Sequence, residues 1–303
     1  MAIQAARSGT QVTLWARHPE RARMLRQTRH NPRLPGHDLP LSVRVTTDLP
    51  QTDEPKLLAV PMQHLREVAA RLPAGPFVCC AKGIETATLR LPLEILAELH
   101  PEAPAAVLTG PNFAGEIAAG LPAASVIAAK NPSLREGITT LLATPTFRLY
   151  GNDDPIGAQV GGAAKNVIAI AAGAVMGAGL GENARAGLIT RGLAELARFA
   201  VALGGRADTV MGLSGLGDLV LSCTSGTSRN YALGLALGRG ADLPVLLARS
   251  STVIEGVATA PALVARAAGV DMPICRAVAD LLSGAMTLNE AITQLLARPR
   301  RNE

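Results

Sequence analysis

Lys165 sits in the run Gly161-Gly162-Ala163-Ala164-Lys165-Asn166 and is the only charged residue between Pro155 and Gly181. A buried amine loses the hydration of its charged form, which brings its pKa down towards the range where it exchanges a proton at neutral pH. Arginine does not do this. Of the 29 Lys and Arg residues only four are lysines, Lys56, Lys82, Lys130 and Lys165, so a lysine here marks a place where a deprotonatable amine is wanted. The competing reading is a lysine whose stem is buried and whose head reaches water.

Two further segments in the same half carry chemistry. Gly212-Leu213-Ser214-Gly215-Leu216-Gly217-Asp218 brings backbone close to a neighbour and ends on a carboxylate that would orient Lys165, although such a turn also reads as a helix cap. Thr227-Ser228-Arg229-Asn230 precedes a helical run, where a helix N-terminus and an arginine fork make an anion site for a phosphate, or simply a cap.

In the first half, Ala81-Lys82-Gly83-Ile84-Glu85-Thr86 and Gly110-Pro111-Asn112-Phe113-Ala114-Gly115-Glu116 each follow a strand end, as does Arg17-His18. Open α/β sheets bind ligands outside the carboxyl ends of their strands. An arginine at position 17 suits the 2′-phosphate of a dinucleotide.

The elements that must hold these loops form two patterns. Over residues 1–151, β-branched runs at Val12–Trp15, Val43–Thr46, Leu57–Val60, Phe77–Ala81, Ala106–Thr109 and Ser125–Ala128 alternate with helical stretches at Arg21–Thr28, Gln63–Arg71, Leu89–Leu99 and Phe113–Ala119. That alternation predicts an α/β Rossmann-like doubly wound domain with a mainly parallel sheet, closing with Phe147–Tyr150. Residues 152–303 read as an all-α domain, with helices at Gly157–Met176, Asn183–Leu203, Asn230–Leu237, Ala258–Ala268, Pro273–Ser283 and Leu288–Ala297. Ala2–Arg7 reads as helix with no strand and no G-x-G-x-x-G loop ahead of it, so the first strand and pyrophosphate cradle of a dinucleotide fold are missing.

At 303 residues and 48% hydrophobic content the chain supports two globular units, and 2% aromatics means cores of Ala, Val, Leu and Ile. The net charge of +5 is scattered and lacks aromatics for base stacking, which argues against a nucleic-acid partner. Cys79, Cys80, Cys223 and Cys275 have no metal-ligand spacing, so no metal is expected and the thiols read as those of a reduced, cytoplasmic protein. All five histidines lie in the first hundred residues in polar contexts and read as surface groups. The apolar stretch from Val167 to Gly181 is shorter than the ~20 residues a bilayer requires and reads as a buried helix, not a membrane insertion. A homodimer is the expected assembly.

Together these segments resemble bacterial-type NAD(P)-dependent sn-glycerol-3-phosphate dehydrogenase, from about Ala2 to Met286. The resemblance is carried by Gly161 to Ile170, Asn183-Ala184-Arg185, Leu188-Ile189-Thr190-Arg191-Gly192, Gly215-Leu216-Gly217-Asp218-Leu219, Ser228-Arg229-Asn230 and Glu255-Gly256. It implies NAD or NADP as cofactor, a small phosphorylated substrate, and Lys165 as proton donor or acceptor at the C2 oxygen. It further implies Lys82, Gly110, Asn112, Asp218, Ser228, Arg229 and Asn230 at the substrate. Arg17, His18, Lys82, Ala114, Arg229, Val253 and Glu255 would line the cofactor. Dihydroxyacetone phosphate would become the glycerol phosphate that starts phospholipid synthesis.

Asn112 stands where the family usually has Ser or Thr, and Met62 where a serine is usual. The missing strand and glycine loop lie, in the family, just before the position of Met1, so the native protein is expected to start some ~20 residues earlier. Two alternatives stay open at this point. One is a related two-domain dehydrogenase for a hydroxy acid or another sugar phosphate, the other a catalytically inactive fragment without the pyrophosphate loop.

Overall fold

In a computed structural model that describes residues 1–250 and 253–298, the chain folds as two units. The first comprises residues 1–59, 64–80 and 93–155; the second comprises 60–63, 81–92 and everything from Ile156 onward. The sequence division at 151 and 152 left residues 60–63 and 81–92 in the first unit. Their packing groups them with the second, and Lys82 goes with them.

The first unit runs α1 (Ala2–Arg7), β1 (Val12–Trp15), α2 (Pro19–Thr28), β2 (Val43–Thr46), β3 (Lys56–Leu58), α3 (Leu65–Ala69), β4 (Phe77–Cys79), α4 (Pro92–Leu99), β5 (Ala105–Thr109), α5 (Ala114–Ala119), β6 (Ala123–Ala128), α6 (Pro132–Leu142) and β7 (Phe147–Asn152). β1 and β2 pair in parallel as a two-stranded sheet. β3, β4 and β5 run parallel in a second sheet, in which β6 is antiparallel to β5 and parallel to β7. Among the described residues no strand pairing joins the β1–β2 sheet to the sheet of β3 to β7.

The helix α6 has local signals that the strand-by-strand reading passed over: Asn131 accepts from the Leu134 N–H at 3.3 Å, and Pro132 fills the first helical position. Core residues such as Val78, Ala106, Leu108 and Ile127 are at most 4% exposed. They are aliphatic, and Phe77 on β4 and Phe147 on β7 are the large buried side chains among these strands.

The second unit contains α7 (Pro155–Gly177), α8 (Gly181–Ala202), α9 (Ala207–Met211), α10 (Asp218–Thr224), α11 (Arg229–Gly238), α12 (Leu243–Arg249), α13 (Glu255–Arg266), α14 (Pro273–Ser283) and α15 (Leu288–Leu296). Among the described residues α7 is the one helix long and apolar enough to cross a membrane, yet 83% of its most apolar window is buried. It is the central helix of this unit. Its neighbours approach it backbone to backbone: a Cβ on Gly173 would lie 2.7 Å from the Leu235 nitrogen, and one on Gly238 would lie 2.8 Å from the Ala178 nitrogen. Glycine at these positions is what lets the helices pack backbone to backbone.

Candidate active site

One turn of α7 fixes the centre of the second unit. Residues four apart on a helix share a face, so Gly161 and Lys165 point the same way. Gly161 meets the Leu213–Gly217 turn, which is π-helical, so closely that a Cβ would stand 2.9 Å from the Gly215 Cα. That contact sets α10, whose first residue is Asp218, against Lys165.

Lys165 Nζ donates to Asp218 Oδ1 at 2.5 Å and to Ser222 Oγ at 3.0 Å. Lys82 Nζ donates to the other oxygen, Asp218 Oδ2. The three side chains are 12%, 1% and 20% exposed for Lys165, Asp218 and Lys82, so one buried carboxylate holds two ammonium groups and the cluster carries a net positive charge when both are protonated. Burial first, and then the neighbouring Lys82 charge, bring the Lys165 pKa down from 10.5 to about 8, with Asp218 acting in the opposite direction. Cys223, on the same helix as Asp218, is inert by contrast, its thiol pushed up to about 12 by burial.

A second cluster ties three helices. Asn230 Nδ2 donates to Asn166 Oδ1 at 2.9 Å, and the Gly256 N–H donates to Asn230 Oδ1 at 2.9 Å. Asn230 thus caps the N-terminus of α13 from α11 while anchoring to α7, and has one amide hydrogen left for a ligand. A Cβ on Gly256 would stand 2.6 Å from Asn230 Oδ1, which explains glycine there. Ser228 caps α11 by accepting from the Tyr231 N–H, leaving its hydroxyl hydrogen available. Arg229 is exposed and donates from Nη1 to the Val253 carbonyl at 2.8 Å. Glu255 Oε1 accepts from the Met62 N–H at 3.4 Å, so the backbone of that segment makes the bond whichever side chain it carries.

The remaining residues singled out in the sequence lie in the first unit. Arg17 and His18 are exposed at the end of β1, and Ala114 is exposed at the start of α5. Gly110, at the end of β5, has φ +143°, and a Cβ there would stand 3.0 Å from the Ser125 Cα. Asn112 Nδ2 donates to Ser125 Oγ at 2.5 Å, while Asn112 Oδ1 and Thr109 Oγ1 are buried without a hydrogen-bond partner. Buried polar atoms left over at the carboxyl end of a strand fit a polar ligand such as the amide of a nicotinamide. No G-x-G-x-x-G occurs in the 303 residues.

Comparison with known proteins settles the family. The description "NAD-dependent glycerol-3-phosphate dehydrogenase N-terminus" matches residues 1–135, and the corresponding C-terminus matches residues 154–293. The glycerol-3-phosphate dehydrogenase [NAD(P)+] of Gluconobacter oxydans is 51% identical over 310 residues, spanning 100% of this chain and 94% of its own length. The chain belongs to the NAD-dependent glycerol-3-phosphate dehydrogenase family. It is an enzyme of that NAD(P)-dependent type. The Acidiphilium cryptum dehydrogenase of the same name is 56% identical over 302 residues, covering 98% of this chain and 92% of its own. The crystal structure of glycerol-3-phosphate dehydrogenase from Coxiella burnetii superposes with a TM-score of 0.93 at 35% identity, over 98% of this chain and 94% of that one. A Rossmann-type first domain and a helical second domain are thus the family architecture, as the sequence pattern predicted.

Ser222 was missed in the sequence. It lies four residues after Asp218, on the same face of α10, but that helix has only seven residues and follows a π turn, so no 3.6-residue periodicity announces it.

Proposed function

We propose that the chain interconverts dihydroxyacetone phosphate and sn-glycerol 3-phosphate with Lys165 as general acid and base, and so feeds glycerophospholipid synthesis. The observation that carries this reading is the Lys165 amine, brought down to about 8 and aimed by Asp218 and Ser222. A proton-transfer group works best with a pKa near the operating pH.

A nicotinamide held by these residues would supply or accept the hydride at C2. In the reductive direction Lys165, protonated, gives its proton to the C2 oxygen as negative charge grows there; in the oxidative direction neutral Lys165 takes that proton back. Asp218 holds Nζ in place and offsets the cost of a buried ammonium. Lys82, on the other carboxylate oxygen, adds a second positive charge for the developing oxyanion.

For the phosphate we assign Arg229, with the free hydroxyl hydrogen of Ser228 and the spare amide hydrogen of Asn230, at the N-terminus of α11. Within the first unit we assign Arg17, His18 and Ala114 to the dinucleotide, and Gly110 and Asn112 to polar contacts with a reactant. Val253 and Glu255 in the second unit we assign to the cofactor as well.

The test is reduction of dihydroxyacetone phosphate by NADH or NADPH with the 303-residue chain. Turnover with this substrate, well above that with 2-keto acids and aldose phosphates, is expected. A stronger preference for a keto acid would replace this reading with the hydroxy-acid one.

A further inference from the structure

The second unit holds a cavity of about 570 Å³ that shares no residue with the Lys165 site. Its floor is one stripe of α8, where Ala184, Gly187, Leu188 and Arg191 recur at helical spacing, and Ile274 and Leu295 face them from α14 and α15. That size is in the range of ligand pockets, and the walls are chiefly aliphatic.

Gly187 is informative. Gly161, Gly173, Gly192 and Gly256 each occupy places where a Cβ would strike another segment, but a Cβ on Gly187 meets nothing within 4 Å. A glycine in the middle of a helix costs about 0.5–1 kcal/mol relative to alanine. At the other sites close packing accounts for it; at Gly187 its effect is to leave the cavity open.

The polar groups in the walls are committed with one exception. Glu195 accepts from the Ile274 N–H at 2.7 Å and the Cys275 N–H at 3.1 Å, holding the start of α14. Arg298 binds the Asp271 carboxylate at 2.8 and 2.9 Å, and Arg198 donates to the Asp271 carbonyl. Arg191, one turn beyond Gly187, is exposed and has no hydrogen-bond or ion-pair partner among the described residues. An aliphatic chamber with one unanswered guanidinium complements an apolar chain that ends in an anion.

We infer that this cavity binds a single-chain amphiphile with an anionic head, the alkyl chain lying along the α8 stripe at Gly187 and the head on Arg191. The test is calorimetric titration of the full chain with dodecanoate, dodecyl phosphate and dodecanol, each below its aggregation limit. One anionic amphiphile per chain is expected to bind, with dodecanol at least tenfold weaker. Gly187→Phe, which fills the chamber, should abolish binding, and Arg191→Ala should weaken the two anions at least tenfold. Turnover without amphiphile should be unchanged in both. Leu188→Trp serves as a second blocking variant should Gly187→Phe fail to fold. The inference is overturned by absence of binding, by binding that survives a folded blocking variant, or by dodecanol binding as well as the anions. It is equally overturned if sedimentation shows a wild-type dimer that a blocking variant converts to monomer while no amphiphile binds, since a second copy would then be the occupant.

Discussion

A Cβ on Gly161 would stand 2.9 Å from the Cα of Gly215, so α7 and the π turn touch backbone to backbone one helical turn before Lys165. The position of Asp218, and through it the aim of the Lys165 amine, follows from that contact. Gly161→Ala should therefore cost about 1–3 kcal/mol of stability through overpacking. Because it displaces Asp218, it should also lower turnover by about 100-fold. Urea denaturation and steady-state assays of the variant check both effects. Gly187→Ala is the control: with open space around its Cβ it should gain about 0.5–1 kcal/mol and keep full turnover.

Asp218 holds two ammonium groups, and its charge raises the Lys165 pKa against the effects of burial and Lys82. Asp218→Asn keeps the shape and removes that support. The alkaline limb of the kcat/KM profile for reduction should move to lower pH, and kcat should fall by about 100-fold because the amine is no longer fixed. An unmoved limb in a well-folded variant would show that Asp218 does not set the proton affinity of Lys165.

Arg229 has its Nη1 on the Val253 carbonyl and the rest of its fork free of protein hydrogen bonds among the described residues. As the phosphate ligand, it should matter only for a phosphorylated substrate. Arg229→Leu should raise the KM for dihydroxyacetone phosphate by about 10- to 100-fold, the worth of a charged hydrogen bond. Turnover with unphosphorylated dihydroxyacetone, which has no phosphate for Arg229 to hold, should change little. Equal losses with both substrates would place Arg229 elsewhere.

Much of this was legible in the sequence, and the rest has physical reasons for staying hidden. Lys165 stood out because a lone charge in an apolar run has few uses, and β1 and β2 have the bounds that their β-branched residues predict. Ser222 was obscured because a π turn breaks the helical period just before it. The grouping of residues 60–63 and 81–92 with the helical unit was not readable, since chain order says nothing about which neighbour a loop packs on. Asn230 was read as an anion ligand from its place at a helix start. Its two side-chain hydrogen bonds turn out to lock α7, α11 and α13 together. Gly187 carried no sequence signal, because only the space around a glycine tells a packing contact from an opening.

The most direct test is the pH dependence of kcat/KM measured in both directions on one preparation, beside Lys165→Met. Reduction needs protonated Lys165, so its rate should be level below about 8 and fall as pH rises through that value. Oxidation needs the neutral amine and should rise through the same pH. Lys165→Met should lose both limbs together with at least 100-fold in turnover. Limbs of the same sign in the two directions, or limbs that persist in Lys165→Met, would contradict the assignment of Lys165 as the proton-transfer group.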